Sequence, residues 1–390
     1  MVRKNAYLLG GNGAPNFGDE LIAKAWLDYL SERSPEARIT LDCNSINTPR
    51  TFFGLDGDRV QNLSGIKIFA NTTIKTQFAG IKNAGERFLT GVRHGLDFFS
   101  NGTYAEFPQL REALEAIEDS ATFHIFGGGY INSGIRPDSG FLIGFAAAVK
   151  RQFGAKIFAT GIGLTPLHFD ARENTAPLAE ALSEFALFEC RDVYGYDKLF
   201  NLLNNRANLV NGVDDTYMVR YVSGVEENTP RRLHLCFLRQ EFGPELQGLQ
   251  AEILAIAPAF DEVTYWNCVP NFADRNLDNL RRALPDMRVL DCHQLVFQPL
   301  PVGPNDYMVT QRFHPHLIAA RLGCSGVFVQ DGLYYNDKHR SVVHLGSSFK
   351  KYVPGMIDGT PSVRPARILE RDAENMDRKR QVRDFCYENA

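Results

Sequence analysis

The sequence lacks the positive charge and the long apolar runs that mark several protein classes. Its formal net charge is −4, whereas binding to a phosphate backbone needs a clustered basic surface, so we expect no nucleic-acid partner. No uninterrupted apolar stretch approaches the length of a bilayer span, so we predict no transmembrane segment. The basic and then apolar start, residues 1–11, is too short and too glycine-broken for a secretory leader. We therefore expect a cytoplasmic protein.

Paired cysteine spacings and internal repeats are also missing. The 7 cysteines include no Cys-x-x-Cys and no spacing typical of a metal site. Most of them lie in apolar surroundings, and we interpret them as buried thiols of a reducing compartment. We therefore predict no metal bound by cysteine.

Length and hydrophobic pattern predict an α/β protein with two domains. A chain of 390 residues is too long for one ordinary core. Apolar strand patterns alternate with helical patterns, which indicates parallel, doubly wound sheets. The polar, turn-rich stretch 222–230 is the best linker candidate. We predict an N-terminal domain over 1–222, a C-terminal domain over 231–364, and a helix over 365–390 that packs across both.

Two short apolar runs, one in each predicted domain, are also interpreted as strands. They lie at 66–70 and at 342–345. The segment from Phe78 to Phe99, which comes after the first of them, mixes aromatic and basic residues without a stable period.

A glycine-rich turn comes after the first predicted strand, Tyr7–Leu9. The sequence GGNGAPNFGDE leads from it into an amphipathic helix. Glycines permit close approach of the backbone to a ligand, and the helix N-terminus favours anions. The spacing matches neither the dinucleotide fingerprint nor a P-loop. Asp19 has two open interpretations: a cap for a helix that begins near Glu20 or Leu21, or a ligand contact.

A strand-to-helix turn near the C-terminus carries the residues most suited to chemistry. Arg312 and His314 come directly after the predicted strand Tyr307–Thr310. In an open α/β sheet such residues face the crevice where ligands bind. Lys338 is expected in the loop after the next predicted strand, 327–329. An isolated Arg-x-His is more often a surface pattern, but the three side chains together would suit a small anionic substrate.

Four segments, taken in chain order, resemble motifs of the polysaccharide pyruvyl transferase family. They are NFGDE at 16–20, Gly127-Gly128-Gly129 with Asn132, Cys190-Arg191-Asp192, and QRFHPHLIAARLG followed by YYNDK. The pair Pro315-His316 departs from the family pattern, in which an apolar residue comes after a small one. Nothing between 48 and 118 resembles the family.

The resemblance implies a set of site residues. His314 and Arg312 would be catalytic. The substrate-binding residues would be Lys338, Asn16, Asp19, Gly127, Gly128, Gly129, Asn132, Arg191 and His316. His316 would either point elsewhere or share proton transfer with His314.

The resemblance also implies an architecture and a reaction. Two Rossmann-like domains would face a cleft, similar to the GT-B architecture, with the acceptor on the N-terminal side and the donor on the C-terminal side. Pyruvyl would pass from phosphoenolpyruvate to a sugar of a cell-surface or exopolysaccharide glycan, or its precursor, forming a ketal and releasing phosphate. His314 would supply the proton, and Arg312 and Lys338 would hold the donor anion. Neither a cofactor nor a metal is needed.

Two other functions stay open. A GT-B-type glycosyltransferase would use Arg312 and Lys338 to hold a nucleotide-sugar donor. A carbohydrate-binding relative without catalysis is weaker, because all three candidate side chains are present. The acceptor sugar, its linkage to a lipid and the oligomeric state are not predicted. Basic residues such as Lys82 and Arg87, with Arg93 and His94, would suit a phosphorylated acceptor, but we interpret them as a solvated face.

Overall fold

The chain forms two compact α/β units in the computed structural model. The structure describes residues 5–45, 52–54, 59–100, 102, 107–169, 174–203, 208–221, 230–238, 248–270, 275–330, 332–362 and 366–388. The first unit comprises Met1–Ala14, Asp19–Met218 and Met376–Ala390, and the second comprises Pro15–Gly18 and Val219–Asn375. The linker candidate at 222–230 lies, except for Pro230, outside the described residues.

The first unit is built on a parallel sheet with helices packed on it. Its strands are β1 (Asn5–Leu9), β2 (Ile39–Asp42), β3 (Val60–Leu63), β4 (Ser120–Gly128), β5 (Lys156–Ile162), β6 (Leu187–Cys190) and β7 (Leu209–Asn211). Its helices are α1 (Phe17–Arg33), α2 (66–77, with a π turn at Ala70–Ile74), α3 (Ala84–Leu96), α4 (Pro108–Glu118), α5 (Gly140–Phe153), α6 (Ala176–Ser183) and α7 (Val193–Leu203). Strand order β3-β2-β1-β4-β5-β6-β7 reverses between β1 and β4, which makes that edge the topological switch point.

The second unit has the same plan. Its strands are β8 (Arg232–Cys236), β9 (Glu262–Asn267), β10 (Arg288–Asp291), β11 (Tyr307–Thr310), β12 (Ser325–Phe328) and β13 (Lys350–Lys351). Its helices are α8 (Leu249–Ile256), α9 (Arg275–Ala283), α10 (Cys292–Phe297), α11 (Phe313–Arg321), α12 (Gly332–His344) and α13 (Arg367–Glu370). The helix α14 (Asp372–Tyr387) comes last. Strand order β10-β9-β8-β11-β12-β13 reverses between β8 and β11, so the residues after β11 lie at the switch point.

The predicted doubly wound α/β class is confirmed, and its physical basis is continuous burial. All four residues of β11 are buried, as are those of β8 and β12 on either side of it. Strands covered on both faces read as uninterrupted apolar runs, which is the pattern of parallel sheets. The 7 cysteines are all buried thiols, as predicted. Among the described residues, no helix combines the length and the apolar character needed to cross a bilayer.

The strand predicted at 66–70 is wrong, because these residues begin α2. The carboxylate of Asp42, at the end of β2, accepts hydrogen bonds from the N–H groups of Ile66 at 2.7 Å and Lys67 at 3.1 Å. These are orphan donors of a helix N-terminus, and a carboxylate there stabilises the helix. A short apolar run fits a buried strand or a buried helix equally well, so only the capping partner decides. The strand of this region is β3, which the sequence analysis missed.

The strand predicted at 342–345 is wrong for a similar reason. Its residues form the last turn of α12 and the turn that comes after it, and the next strand is β13. Val342 is fully buried whereas Val343 is 40% exposed. A two-residue apolar run therefore marks one buried position of a helix rather than a strand.

A buried ion network joins α14 to the first sheet. Lys379 Nζ lies 2.8 Å from Asp215 Oδ1 and also donates to the carboxylate of Glu189, and all three side chains are at most 1% exposed. Asp215 Oδ2 accepts hydrogen bonds from Trp26 Nε1 and from the N–H of Gly127, both at 3.0 Å. With water excluded, each charge depends on its partner.

Replacing Lys379 by methionine should lower the free energy of unfolding of the first unit by about 3–5 kcal/mol, because two buried carboxylates lose their cation. Urea unfolding followed by tryptophan fluorescence measures the change. The chain has 2 tryptophans, one in each unit, so a Trp266→Phe background leaves Trp26 to report on the first unit.

Arg380→Ala is the matched control, since this neighbouring side chain of the same helix is 57% exposed. It should change the free energy of unfolding by less than about 0.5 kcal/mol. Equal effects of the two substitutions would contradict a stabilising role for the network.

Candidate active site

Arg312 lies at the carboxyl end of the second sheet, at its switch point. It is the N-cap residue of α11 and has an extended backbone, with φ −104° and ψ 138°. Thr310 Oγ1 accepts a hydrogen bond from the N–H of Arg312 at 3.0 Å, which holds the turn between strand and helix. The turn thus stands at the edge where open α/β sheets bind ligands.

The guanidinium of Arg312 has capacity for an anion. Its Nε is buried and has no hydrogen-bond partner among the described residues. Burial lowers its pKa, but the side chains of Cys236, Cys268 and Tyr335 outweigh burial and raise the pKa above its ordinary value. The group is therefore cationic at any physiological pH. A buried N–H donor without a partner is costly, and a bound carboxylate or phosphate would satisfy it.

His314 lies against Gly18, a residue of the second unit. An ideal Cβ placed on Gly18 would come within 1.6 Å of His314 Nδ1. The preceding Phe17 is anchored by its N–H, which donates to the carbonyl of Cys268 at 3.0 Å. The imidazole thus occupies the space that any other side chain at position 18 would need. The glycine of the NFGDE segment and the histidine of the RFH segment form one packed contact.

His316 is held in a buried chain of hydrogen bonds. Its Nδ1 lies 3.0 Å from Nδ1 of His339, and its Nε2 lies 2.8 Å from Oγ of Ser347. His339 Nε2 lies 3.1 Å from the carbonyl oxygen of Gln311. Since a carbonyl only accepts, His339 carries its proton on Nε2, and its Nδ1 accepts from His316 Nδ1–H.

Both rings of this chain are neutral. Burial lowers the pKa of His339 to about 4, and burial with the neighbouring His339 lowers the pKa of His316 well below its ordinary value. Both nitrogens of His316 are used inside the unit, so the geometry favours a structural role over substrate binding. The chain ends at Gln311, the residue before Arg312, and so supports the turn between β11 and α11.

Lys338 lies in the second turn of α12, so the predicted loop position is wrong. Its Nζ is 5.8 Å from the ring centroid of Tyr335, the side chain that also influences the pKa of Arg312. The helix comes after β12, the neighbour of β11, and the bond between His339 and Gln311 fixes it. Lys338 therefore comes to the same end of the sheet as Arg312.

Two predicted substrate-binding residues of the first unit serve its packing. Arg191 forms an ion pair of 2.6 Å with Asp214, and the two side chains are 3% and 2% exposed. Asn132 accepts a hydrogen bond from the N–H of Ile135 at 2.7 Å and donates to the carbonyl of Gly129 at 3.0 Å. The ion pair of Arg191 holds the segment after β6 against the segment after β7. The hydrogen bonds of Asn132 fix the loop that comes after the glycine turn.

The glycines at 127–129 are explained in part by protein contacts. Gly127 and Gly128 have φ of 21° and 112°, which favour glycine. A Cβ would come within 2.9 Å of Ile22 at position 127 and within 2.9 Å of the Tyr130 ring at position 128. These contacts require glycine without any ligand, so a ligand role for the turn stays a prediction.

The NFGDE segment differs from expectation in its helix start. The helix α1 begins at Phe17, so Asp19 lies in the first turn and is not the N-cap. Its Oδ1 would lie 3.4 Å from a Cβ at Gly128, which places the carboxylate beside the glycine turn. Asn16 is half-buried, and its substrate contact stays a prediction.

Glu20, the neighbour of Asp19, was not predicted as a site residue. The side chain is fully buried, and Oε1 accepts from the N–H of Gly13 at 2.8 Å. Burial, opposed by that hydrogen bond, raises its pKa to about 8. Glu20 is therefore mostly protonated at neutral pH and holds the glycine-rich turn onto α1. The only sequence signal for Glu20 was its position next to Asp19 in the NFGDE motif.

A cavity of about 410 Å³ in the first unit was also missed. It lies between α2 and the loop 130–139, and Lys67, Lys75 and Arg136 contribute three cations to its lining. Lys67 and Lys75 are eight residues apart with Asn71 between them, which places all three on one face of the helix. The mistaken strand at 66–70 concealed this spacing.

The arrangement of the second unit suits anion binding and proton transfer. Arg312 and Lys338 supply fixed positive charge, and His314 supplies an imidazole, the side chain most often used to transfer protons near neutral pH. Among the described residues, no cluster of three or more His, Cys, Asp or Glu side chains could hold a metal ion.

Comparison with protein families gives one match. The family model for polysaccharide pyruvyl transferase matches residues 16–296, which is more than half of the chain. The matched region includes the NFGDE, triple-glycine and Arg-Asp segments and ends before Arg312. No curated protein matches the sequence.

Solved structures share the fold at low sequence identity. A putative UDP-N-acetylglucosamine 2-epimerase from Listeria monocytogenes is 12% identical, over 100% of this chain and 92% of that chain, with a TM-score of 0.51. The UDP-GlcNAc 2-epimerase from Neisseria meningitidis, bound to UDP-GlcNAc, is 10% identical over 98% and 94%, with a TM-score of 0.51. An Arabidopsis thaliana UGT complexed with UDP-L-rhamnose is 11% identical over 99% of each chain, with a TM-score of 0.53. These GT-B epimerases and glycosyltransferases confirm the predicted fold class.

Replacing Gly18 by alanine should destabilise the second unit by about 1–3 kcal/mol, since the new methyl group overlaps the His314 ring. The loss should shrink by half or more in a His314→Ala background, where the overlap is gone. Urea unfolding in a Trp26→Phe background measures it, because Trp266 packs on Phe17 at a centroid distance of 5.8 Å.

Gly248→Ala is the control within the same unit, since its nearest neighbour would be at 4.0 Å. Strictly additive effects of Gly18→Ala and His314→Ala would show that the two residues do not meet.

Proposed function

The chain belongs to the polysaccharide pyruvyl transferase family, and we propose that it transfers the pyruvyl group of phosphoenolpyruvate to a saccharide. The acceptor would be a sugar of a cell-surface or exopolysaccharide glycan, or its precursor. The observation that carries the proposal is the Arg312–His314 turn at the switch point of the second sheet, with Lys338 on the neighbouring helix.

Donor binding is explained by the charges of this turn. Phosphoenolpyruvate carries a carboxylate and a phosphate, and each needs a cation. The planar fork of Arg312 suits bidentate recognition of one group, and the ammonium of Lys338 suits the other as a point charge. The buried Nε of Arg312 supports this assignment, because a bound oxyanion would satisfy it.

His314 acts as the general acid in this scheme. The imidazolium gives its proton to the methylene carbon of the enol, which becomes a methyl group and leaves the central carbon electrophilic. A sugar hydroxyl attacks that carbon and loses its proton to solvent or to the neutral imidazole. The carbon–oxygen bond to phosphate breaks and phosphate departs. A second hydroxyl then closes the ketal and gives its proton to the departing phosphate or to solvent. Gly18 leaves room for the imidazole, and Arg312 stabilises the leaving phosphate or the carboxylate.

The two units take different substrates in this proposal. The second unit holds the donor, and the first unit holds the acceptor. The scheme uses no metal or other cofactor. The buried thiols suit a reducing compartment, so the proposed reaction is a cytoplasmic one.

A nucleotide-sugar transferase is the second candidate function. The solved structures from Neisseria meningitidis and Arabidopsis thaliana contain UDP-sugars, and they share the fold of this chain. Arg312 and Lys338 would then hold a diphosphate instead of phosphoenolpyruvate.

His314→Gln should reduce saccharide-dependent phosphate release from phosphoenolpyruvate by about 10²- to 10⁴-fold, the usual contribution of a general acid. Glutamine keeps a hydrogen-bond donor, so the affinity for phosphoenolpyruvate should persist. The basic limb of the pH–rate profile should disappear from the residual rate. A colorimetric phosphate assay with a panel of cell-envelope glycans provides the measurement.

His293→Gln is the matched control, because that histidine is exposed on α10. It should turn over at the wild-type rate. Normal turnover by His314→Gln would remove this histidine from the chemistry.

Donor identity is tested by ligand stabilisation. Phosphoenolpyruvate at a hundred times its dissociation constant should add about 2.7 kcal/mol to the free energy of unfolding. Arg312→Lys should lose most of that gain, because an ammonium does not reproduce the planar fork. UDP-GlcNAc should give no stabilisation that Arg312→Lys removes. Stabilisation by UDP-GlcNAc alone, with activity abolished by EDTA and restored by magnesium, would favour the nucleotide-sugar alternative.

A further inference from the structure

We propose that the first-unit cavity lined by Lys67, Lys75 and Arg136 binds a phosphate or diphosphate group carried by the acceptor saccharide. This inference rests on the proposed function, in which the first unit takes the acceptor. It assigns the acceptor to a chemical class, anionic sugar phosphates, which neither the fold nor the donor chemistry specifies.

The main observation is that the side chain of Lys67 is buried in the wall of the cavity. Its side chain is 2% exposed and lines the cavity, with Nζ 3.6 Å from the ring centroid of Tyr130. A buried ammonium is costly unless it is paired, and no described carboxylate forms an ion pair with it. Burial, and then Arg136, lower its pKa to about 7, against the opposing influence of Asp19 and Asp42. A bound anion would supply the missing counter-charge.

The carboxylates around the cavity are already engaged. Asp138 lines the cavity, but it forms an ion pair with Arg87. Asp42 accepts hydrogen bonds from the Tyr7 hydroxyl and from the N–H groups at the start of α2. One lining carboxylate, paired with its own cation, therefore stands against Lys75, Arg136 and Lys67, the last of which is cationic below its pKa of about 7. The cavity thus has an excess of positive charge, and a bound anion would favour the charged form of Lys67.

The cations are positioned from two different elements. Lys67 and Lys75 come from α2, whereas Arg136 comes from the loop that precedes α5. Arg136 Nη1 donates to Oδ1 of Asn71 at 3.1 Å, and the N–H of Arg136 lies 3.3 Å from Oδ1 of Asn132. The loop is therefore shaped in advance by a residue of the triple-glycine segment. Preorganised donors of this kind lower the cost of binding an oxyanion.

The cavity is large enough to hold a phosphate together with the group to which it is attached. Pockets of roughly 300–1,000 Å³ hold ligands of drug size, and this one measures about 410 Å³. Ala70 and Leu142 line part of it, and Ile135 adds an apolar side chain that is 53% exposed. The cavity thus combines a charged end with apolar walls, as a phosphate attached to a larger group requires.

The first test measures binding without turnover. Inorganic pyrophosphate is titrated into the full-length protein by calorimetry, with no phosphoenolpyruvate present. Lys67→Met and Arg136→Ala should each weaken binding by about 10- to 100-fold, the loss expected for one charge-assisted hydrogen bond. Lys82→Ala, an exposed lysine outside the cavity lining, is the control and should bind as the wild type does.

The two substitutions are chosen so that both variants still fold. Methionine fills the buried space of Lys67 without its charge, and the Arg136 side chain is exposed, so its loss leaves the core intact. Thermal unfolding verifies both. Pyrophosphate that binds wild type and both variants equally, or that does not bind wild type, would overturn the proposal.

The second test separates acceptor from donor. Hexose 1-phosphates should have lower KM values than the corresponding methyl hexosides, and Lys67→Met should raise those KM values about tenfold or more while leaving the KM for phosphoenolpyruvate within about twofold. A rise in the KM for phosphoenolpyruvate instead would make the cavity a donor site and overturn the inference. Competition by a nucleoside diphosphate or by a short prenyl diphosphate identifies the source of the phosphate.

Failure of the proposed pyruvyl transfer can be distinguished from failure of this inference. If wild type releases no phosphate from phosphoenolpyruvate with any acceptor, the pyruvyl transfer fails, whereas the pyrophosphate titration still decides whether the cavity binds an anion.

Discussion

The first unit depends on one buried carboxylate, that of Asp215. It accepts from Trp26 in α1, from the backbone of Gly127 in β4 and from the hydroxyl of Thr160 in β5, and it pairs with Lys379 in α14. One side chain thus joins two strands and two helices that are distant in the chain. Because the group is fully buried, losing Lys379 would leave its charge without a counter-charge in a medium of low dielectric constant, whereas losing one of the neutral donors would leave an unsatisfied acceptor. The same interaction holds the conformation of the glycine turn.

The second unit uses neutral groups for an equivalent purpose. The chain from Ser347 through His316 and His339 to the carbonyl of Gln311 works only while both imidazoles are uncharged. Burial keeps them so. The histidine beside them in sequence, His314, is aimed at Gly18 instead and is the one proposed for chemistry. Two histidines separated by one residue at a helix N-terminus thus make different contacts: His316 is held by internal hydrogen bonds, whereas His314 packs against Gly18.

Much of the fold could be predicted from pattern, and the failures have a common cause. Strands such as β1 and β11 are bounded by glycine or polar turns and are covered on both faces, so their apolar runs are unambiguous. The run at 66–70 has the same composition but begins a helix, because Asp42 caps it from a different strand. Lys338 was predicted in the loop after the strand at 327–329, yet it lies in α12, whose first residues include the weak helix formers glycine and tyrosine. The bond from His339 to Gln311 holds that helix in place. In both cases a hydrogen-bond partner from a distant segment of the chain determined the backbone conformation.

The amino-acid sequence by itself determined the alternation of strands and helices, the parallel sheets that this alternation requires, and the order of segments shared with the pyruvyl transferase family. These depend on local period and on residue type, which a linear chain displays directly. Only the tertiary structure decided that Arg191, Asn132 and His316 are committed to internal contacts, and that Lys67, Lys75 and Arg136 line one cavity. Convergence and desolvation arise from packing between segments distant in the chain, and a buried charge is recognised only when its surroundings are known.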